Sequence, residues 1–243
     1  MHTLLGLAML LGALSVGCGR YFAGPIQPAA VTDQSPRMEV RDDGTVAYVY
    51  ERLEVSLRPL TDAELNRTFP AESSKGAQST NPFTYGNWVP LGESWTPSRF
   101  TVFLLRVKNY AYPKVRIDPQ KISIRSDNRR EYQSLDHLRL NEYYRAHALA
   151  WAGNAHARYR TSDELIRRTL YAEKMVFSGQ EDEGYVVFPT LPPDVTDFTV
   201  TIDDVVLRFD YADEPVETVG LSYRFRRDVH KGYEPPAELV EAR

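Results

Sequence analysis

The side chains able to do chemistry in this sequence are one thiol, Cys18, five histidines and several runs of carboxylates. Their spacing assembles none of the familiar reaction centres. A zinc-binding helix sets its imidazoles four residues apart, so that both lie on one face. His137, His147 and His156 are ten and nine residues apart, and His2 and His230 lie far from them. The acidic runs Glu181-Asp182-Glu183 and Asp203-Asp204, and Asp210 with Asp213-Glu214, lack the alternation of a dedicated calcium loop. A serine nucleophile needs a sharp turn between two glycines, and Gly92-Glu93-Ser94-Trp95 has only the first. Arg208, Arg224, Arg226 and, just beyond them, Arg227 read as solvated surface charge on late strands. These patterns yield no catalytic residue, no metal ligand set and no cofactor, so the chain is expected to act by binding or structure and not as an enzyme.

Cys18 is the one residue with a specific chemical context. Being alone, it has no disulfide partner within the chain. It follows an uncharged run of Leu, Ala, Gly, Met, Ser and Val over residues 4–16, too short for a permanent membrane span but of the length of a signal-peptide core. The closing residues, Leu14-Ser15-Val16-Gly17-Cys18, resemble the lipobox of bacterial lipoproteins; the opening Met1-His2-Thr3 departs from that pattern in carrying no Lys or Arg. The resemblance implies removal of residues 1–17, a diacylglyceryl group on Cys18 and acylation of the new amino terminus, which together make a stable anchor in a bilayer. The Asp that would retain such a protein at the inner membrane is absent after Cys18, which points to the outer membrane if the source is Gram-negative.

Charge limits the partners. The 29 Lys and Arg against 33 Asp and Glu give a net charge of −4 with both signs spread along the chain, which argues against nucleic acid. With 42% apolar residues, the mature chain can bury a substantial core.

The elements that would position these residues follow from periodicity. Residues 18–37, with Pro25, Pro28 and Pro36 and no period, read as a lipidated tether. Residues 38–231 read as the folded domain. It opens with a hairpin around Asp42-Asp43-Gly44, followed by Leu53, Val55 and Leu57 in a strand stopped by Pro59. Thr61-Asp62-Ala63-Glu64 has the form of a capping box for a short helix ending before Pro70. A polar loop over residues 71–97 carries Phe83, Tyr85, Trp88 and Trp95, either as a binding loop or folded back on the domain. Residues 100–109 form the strongest strand, expected to be covered on one side throughout and on the other over its first half. Later strands are expected around Ile122, at 184–188, at 198–202 and 205–209 joined by an Asp203-Asp204 hairpin, and at 221–225. A two-helix insert over about residues 134–174 interrupts them. Its first stripe is Leu140, Tyr144, Ala148 and Trp151, and Thr161-Ser162-Asp163-Glu164 reads as a capping box for the second helix. Residues 232–243 read as a flexible tail.

The strand Val102-Phe103-Leu104-Leu105-Arg106-Val107-Lys108-Asn109, and Phe177-Ser178-Gly179-Gln180-Glu181 followed by Gly184-Tyr185-Val186-Val187-Phe188-Pro189, resemble the telokin-like, immunoglobulin-like β-sandwich domains of bacterial surface lipoproteins. The resemblance implies a mainly β, antiparallel immunoglobulin-like sandwich, here with a helical insertion, and says little about function. The expected role is a tethered envelope protein that binds or positions another envelope protein, with small-ligand or glycan binding as an alternative and a hydrolase as a third. Candidate interaction residues are Tyr143 and His147 on the insert and Trp88 and Trp95 on the aromatic loop.

Overall fold

The computed structural model describes residues 19–150 and 155–241, so the expected signal peptide and Cys18 lie outside the described residues. The first described segment corrects the tether expected over residues 18–37. Strand β1 (Arg20–Ala23) pairs antiparallel with the last strand of the fold, Val229–Gly232, and β2 (Gln27–Pro28) pairs with Phe225 and Arg226. Phe22 is fully buried and Ile26 packs on the main core. The prolines disguise this in sequence, yet Pro28 sits on a sheet edge, where a missing N–H costs nothing.

Four successive strands form an antiparallel meander: β3 (Met38–Val40), β4 (Val46–Tyr50), β5 (Leu53–Leu60) and β6 (Phe100–Asn109). The expected hairpin turn holds, with Gly44 at φ +82° and the Thr45 amide donating to Asp43 Oδ1 at 3.0 Å. Strand β5 continues past Pro59, contrary to expectation. Its pairing with β4 stops at Leu57, so Pro59 meets only β6 and its other edge is open. The sheet is completed by β11 (Gln180–Pro189), which pairs with β6 along its whole length.

The second antiparallel sheet holds β7 (Lys114–Arg116), β8 (Ile122–Ser126), β9 (Glu131–Gln133), β10 (Met175–Phe177), β12 (Asp197–Phe209) and β13 (Pro215–Arg226), with β2 at its edge. The hairpin expected at Asp203-Asp204 is instead a bulge within β12. Ile202 pairs with Leu221 and Val205 with Val219, so two residues oppose Gly220 and Asp204 takes φ +53°. The extra residue re-phases the alternation, which lets Ile202 and Val205 both face the core. The two sheets share that core: Phe103, Leu105 and Val107 of β6 and Val186 and Phe188 of β11 meet Phe198, Val200, Leu221 and Phe225. Tyr223 spans it, donating from its hydroxyl to the Val55 carbonyl of the opposite sheet at 2.9 Å. Asn109, fully buried where β6 ends, donates to the carbonyls of Tyr112 and Val176, each at 2.9 Å, and accepts from the Ala111 and Tyr112 amides. All four of its hydrogen-bonding positions are used.

The outer face of β6 and β11 carries a third layer. Helix α1 (Asp62–Thr68) starts with the expected capping box, in which Thr61 Oγ1 accepts from the Glu64 amide and Glu64 returns a bond to the Thr61 amide. It leads into α2 (Pro70–Ser73). The insert forms α3 (His137–Ala150) and α4 (Ala155–Thr169). The capping box expected at Thr161 lies well inside α4, where Thr161 Oγ1 bonds the Ala157 carbonyl of the preceding turn at 3.2 Å and so caps nothing. Leu140, Leu165 and Ile166 of the insert cover Phe100, Val102 and Val187 together with Leu65, Phe69 and Phe83. Strand β6 is therefore buried on both faces over its first half, as its sequence indicated. Finally, β14 (Val229–Gly232) closes on β1, and the expected flexible tail contains α5 (Ala237–Glu241). Among the described residues no helix is long and apolar enough to cross a membrane.

Candidate functional site

Residues 74–99 fold back on the domain because buried polar groups tie them down. Asn81 Nδ2 donates to Ser73 Oγ at 2.9 Å, its Oδ1 accepts from the Phe83 amide at 2.9 Å, and Phe83 is fully buried. This anchoring separates the two candidate tryptophans. Trp88 packs beside Tyr85 with ring centres 5.7 Å apart, and its carbonyl accepts from Thr96 Oγ1 at 2.8 Å. Trp95 lies edge-on to Phe22 of β1 at 5.2 Å.

Trp95 also lines a cleft of about 290 Å³. Its walls come from β1 and the turn after it, the β5 to α1 junction, residues 95–102, the connection at 190–193, and α5. Ile26, Leu60, Phe100, Leu191 and Leu239 supply apolar surface; Asp62, Ser98 and Thr101 supply polar groups. Arg227 holds one side in shape. It is buried, and Nε donates to the Val195 carbonyl at 2.8 Å while Nη2 donates to the carbonyls of Leu191 at 2.9 Å and Pro192 at 2.5 Å. This corrects the surface-charge reading of Arg227, although Arg208, Arg224 and Arg226 are exposed as expected. Burial holds the Arg227 pKa below the ordinary arginine value, with nearby Tyr132 and Asp194 opposing that shift. Thr190 pins the same connection to the opposite wall by donating to the carbonyls of Ser98 at 3.0 Å and Arg99 at 2.6 Å.

Compared with known proteins, the chain matches no family model, no curated protein and no solved structure. The functional reading therefore rests on the residues themselves.

On the insert, Tyr143 packs against Phe100 at 5.2 Å and Tyr144 at 5.1 Å and remains partly exposed. Tyr144 is the deeper of the pair. Its hydroxyl donates to the Pro82 carbonyl and accepts from Arg99 Nη1 at 3.0 Å, and burial raises its pKa above the ordinary tyrosine range despite that guanidinium. Arg99 in turn lies over the Tyr85 ring at 4.1 Å. The side chains of His147, Ala148 and Trp151 lie outside the described residues. His137 Nε2 meets Asp163 at 2.7 Å, and Asp163 also accepts from Asn141 and Arg167. Those hydrogen bonds outweigh burial, which opposes them, and hold the Asp163 pKa below the usual carboxylate value.

A second hollow of about 530 Å³ lies where α3 begins, lined in part by His137, Arg167 and Tyr171. Burial there pushes the Tyr171 pKa above the ordinary tyrosine range, so the phenol stays neutral. The Trp95 cleft is the better candidate because β1, residues 95–98 and α5 are not needed to close the core between the sheets. Sequence patterning missed Arg99, Arg227 and Leu239 as cleft or loop determinants. A single arginine or a leucine near the end of the chain carries no periodic signal, and only the fold brings them beside Trp95, Tyr85 and Tyr144.

Proposed function

We propose that this chain is a bacterial envelope lipoprotein, anchored through Cys18, that acts by binding and not by catalysis, with the Trp95 cleft as its binding site. The observation that carries the reading is the cleft itself, where an indole, flanking aliphatic side chains and a few polar groups converge on a volume of about 290 Å³. That combination suits a sugar-sized ligand, which offers an apolar C–H face to the aromatic ring and hydroxyls to Asp62, Ser98 and Thr101. Such a group would belong to another envelope component, which joins this reading to the positioning role. The packing of Leu140, Leu165 and Ile166 on the β6 and β11 face supports a covering role for the insert and lowers the need for a partner at Tyr143.

The shared core of two antiparallel sheets also supports an immunoglobulin-like sandwich as the architecture. The meander of β3 to β6 in one sheet is then its departure from a Greek key.

Two measurements test the function. Labelled palmitate is expected to enter the wild type and not Cys18→Ala; equal labelling would refute the anchor. Calorimetric titration with soluble mono- and disaccharides is expected to show binding that Trp95→Ala weakens by about tenfold, equivalent to roughly 1.4 kcal/mol. Affinity unchanged by Trp95→Ala, or no binding by any sugar, would refute this site and ligand class.

A further inference from the structure

The lipid anchor and the folded domain are separated by almost no chain. Only Gly19 lies between Cys18 and β1, so the Arg20 Cα sits within about 8 Å of the Cys18 Cα. The end of the domain that carries β1 and β14 must therefore rest at the membrane, not tens of ångströms above it.

The surface at that end has the side chains of a membrane interface. Tyr21, which also lines the Trp95 cleft, is half-exposed beside Lys231, whose ammonium lies 5.7 Å from its ring centre. Exposed Tyr233 follows Gly232, the residue paired with Arg20. The loop of residues 88–95 is fastened to the same place, because the Arg20 guanidinium grips both Glu93 oxygens at 2.7 and 2.6 Å. Its tip is a turn in which the Glu93 amide bonds the Pro90 carbonyl at 3.0 Å and Gly92 takes φ +81°, as a type II turn requires. Leu91 occupies the apex, fully exposed, with Val89 exposed nearby. An exposed leucine on a hydrogen-bonded turn, tied by a bidentate ion pair to the strand that follows Cys18, has an apolar destination within reach if Cys18 carries lipid.

We infer that this end of the domain docks on the bilayer, with Leu91 entering the outer acyl region and Tyr21 and Tyr233 lying at headgroup level. The inference rests on the lipid-anchor reading. Tyrosines favour that depth because one end of the ring is apolar and the other polar, and Lys231 can extend its ammonium toward phosphate. Arg20 is matched by Glu93, so the docking is apolar in origin and occurs on zwitterionic as well as anionic lipid.

The test exploits the single cysteine. In the acylated protein the Cys18 thiol is blocked, so a thiol-reactive, polarity-sensitive fluorophore labels only an introduced cysteine. Leu91→Cys and Tyr211→Cys are prepared in the full lipidated protein. Both sites are fully exposed, and Tyr211 lies in the turn before β13, whose 12 residues place it about 40 Å from β14. In vesicles of phosphatidylethanolamine and phosphatidylglycerol, and again in phosphatidylcholine, the label at 91 is expected to shift to the blue. Spin-labelled lipid should quench it at least about threefold more than the label at 211. Equal, water-like behaviour at both sites overturns the docking while the anchor stands. One reactive thiol per wild-type chain would show that Cys18 is free and overturn the anchor together with the docking.

Discussion

Arg226 and Arg227 are adjacent and chemically identical, yet their removal should differ by several kcal/mol. Arg226 is exposed, and a surface substitution of that kind usually changes stability by less than about 0.5 kcal/mol. Arg227 is buried and makes three hydrogen bonds to the carbonyls of Leu191, Pro192 and Val195. Each charge-assisted bond is worth about 1.5–3 kcal/mol. The Pro192 carbonyl is only part-buried and can turn to water, which leaves two buried acceptors unsatisfied in Arg227→Met. Removing the cation also relieves its desolvation cost, the main cause of its lowered pKa, so the net loss is placed at about 2–4 kcal/mol. At about 2–4 °C per kcal/mol for a domain of this size, Arg227→Met should melt roughly 10 °C below the wild type. Because the freed connection forms one wall of the Trp95 cleft, sugar affinity should fall as well. Arg227→Lys keeps a charged donor but not the fork, and should fall between. Thermal denaturation followed by circular dichroism on the three variants and Arg226→Met decides the matter. If Arg227→Met melted with Arg226→Met, the clamp would carry no weight and the reasoning would be refuted.

Asn109→Ala strands two carbonyls and two amides at the end of β6, and urea denaturation should show a loss of about 2–4 kcal/mol; Asn109→Asp should fare no better, since its carboxylate faces the Tyr112 and Val176 carbonyls. Stability should also fall in acid. The Arg41 hydrogen bond holds the Glu54 pKa down against burial, while for Glu64 and Asp163 burial pushes upward and is outweighed by hydrogen bonds. A depressed folded pKa means that stabilisation is complete above the unfolded carboxylate values near about 4 and is lost as pH falls through the folded ones. The melting temperature should hold steady from neutral pH to about 5 and then decline, with a shallower decline in Glu54→Gln; a flat profile down to about pH 3 would contradict it.

Much of the fold was legible because local signals and tertiary environment agreed. The Asp43-Gly44 turn and the Thr61 and Glu64 capping box each depend on residues within one turn of chain, and the two-faced burial of β6 is written in its own ten consecutive residues although distant segments supply the cover. The errors arose where a local signal had two physical outcomes. Asp203-Asp204 suits a hairpin or a bulge, and the available partner, a continuous β13, selected the bulge. Thr161-Ser162-Asp163-Glu164 suits a helix start, but α4 begins at Ala155 and carries those residues in its interior. Residues 19–37 looked like a tether because proline hides strand periodicity, and only the unpaired edges of β13 and β14 explain why Phe22 and Ile26 are held.

The candidate site divides along the same line. The lipobox resemblance around Cys18 is contiguous and needs no fold to be read, and the aromatic content of residues 83–95 is equally plain. That Trp95 and not Trp88 reaches the cleft, and that Arg227 is a buried clamp beside an exposed Arg226, could be decided only by the tertiary structure. So could the seating of the Leu91 turn beside β1, where Arg20 holds Glu93. These depend on segments 73 and 36 residues apart meeting in space, and no local pattern records such a meeting, because the free energy that selects it comes from burying distant surfaces together.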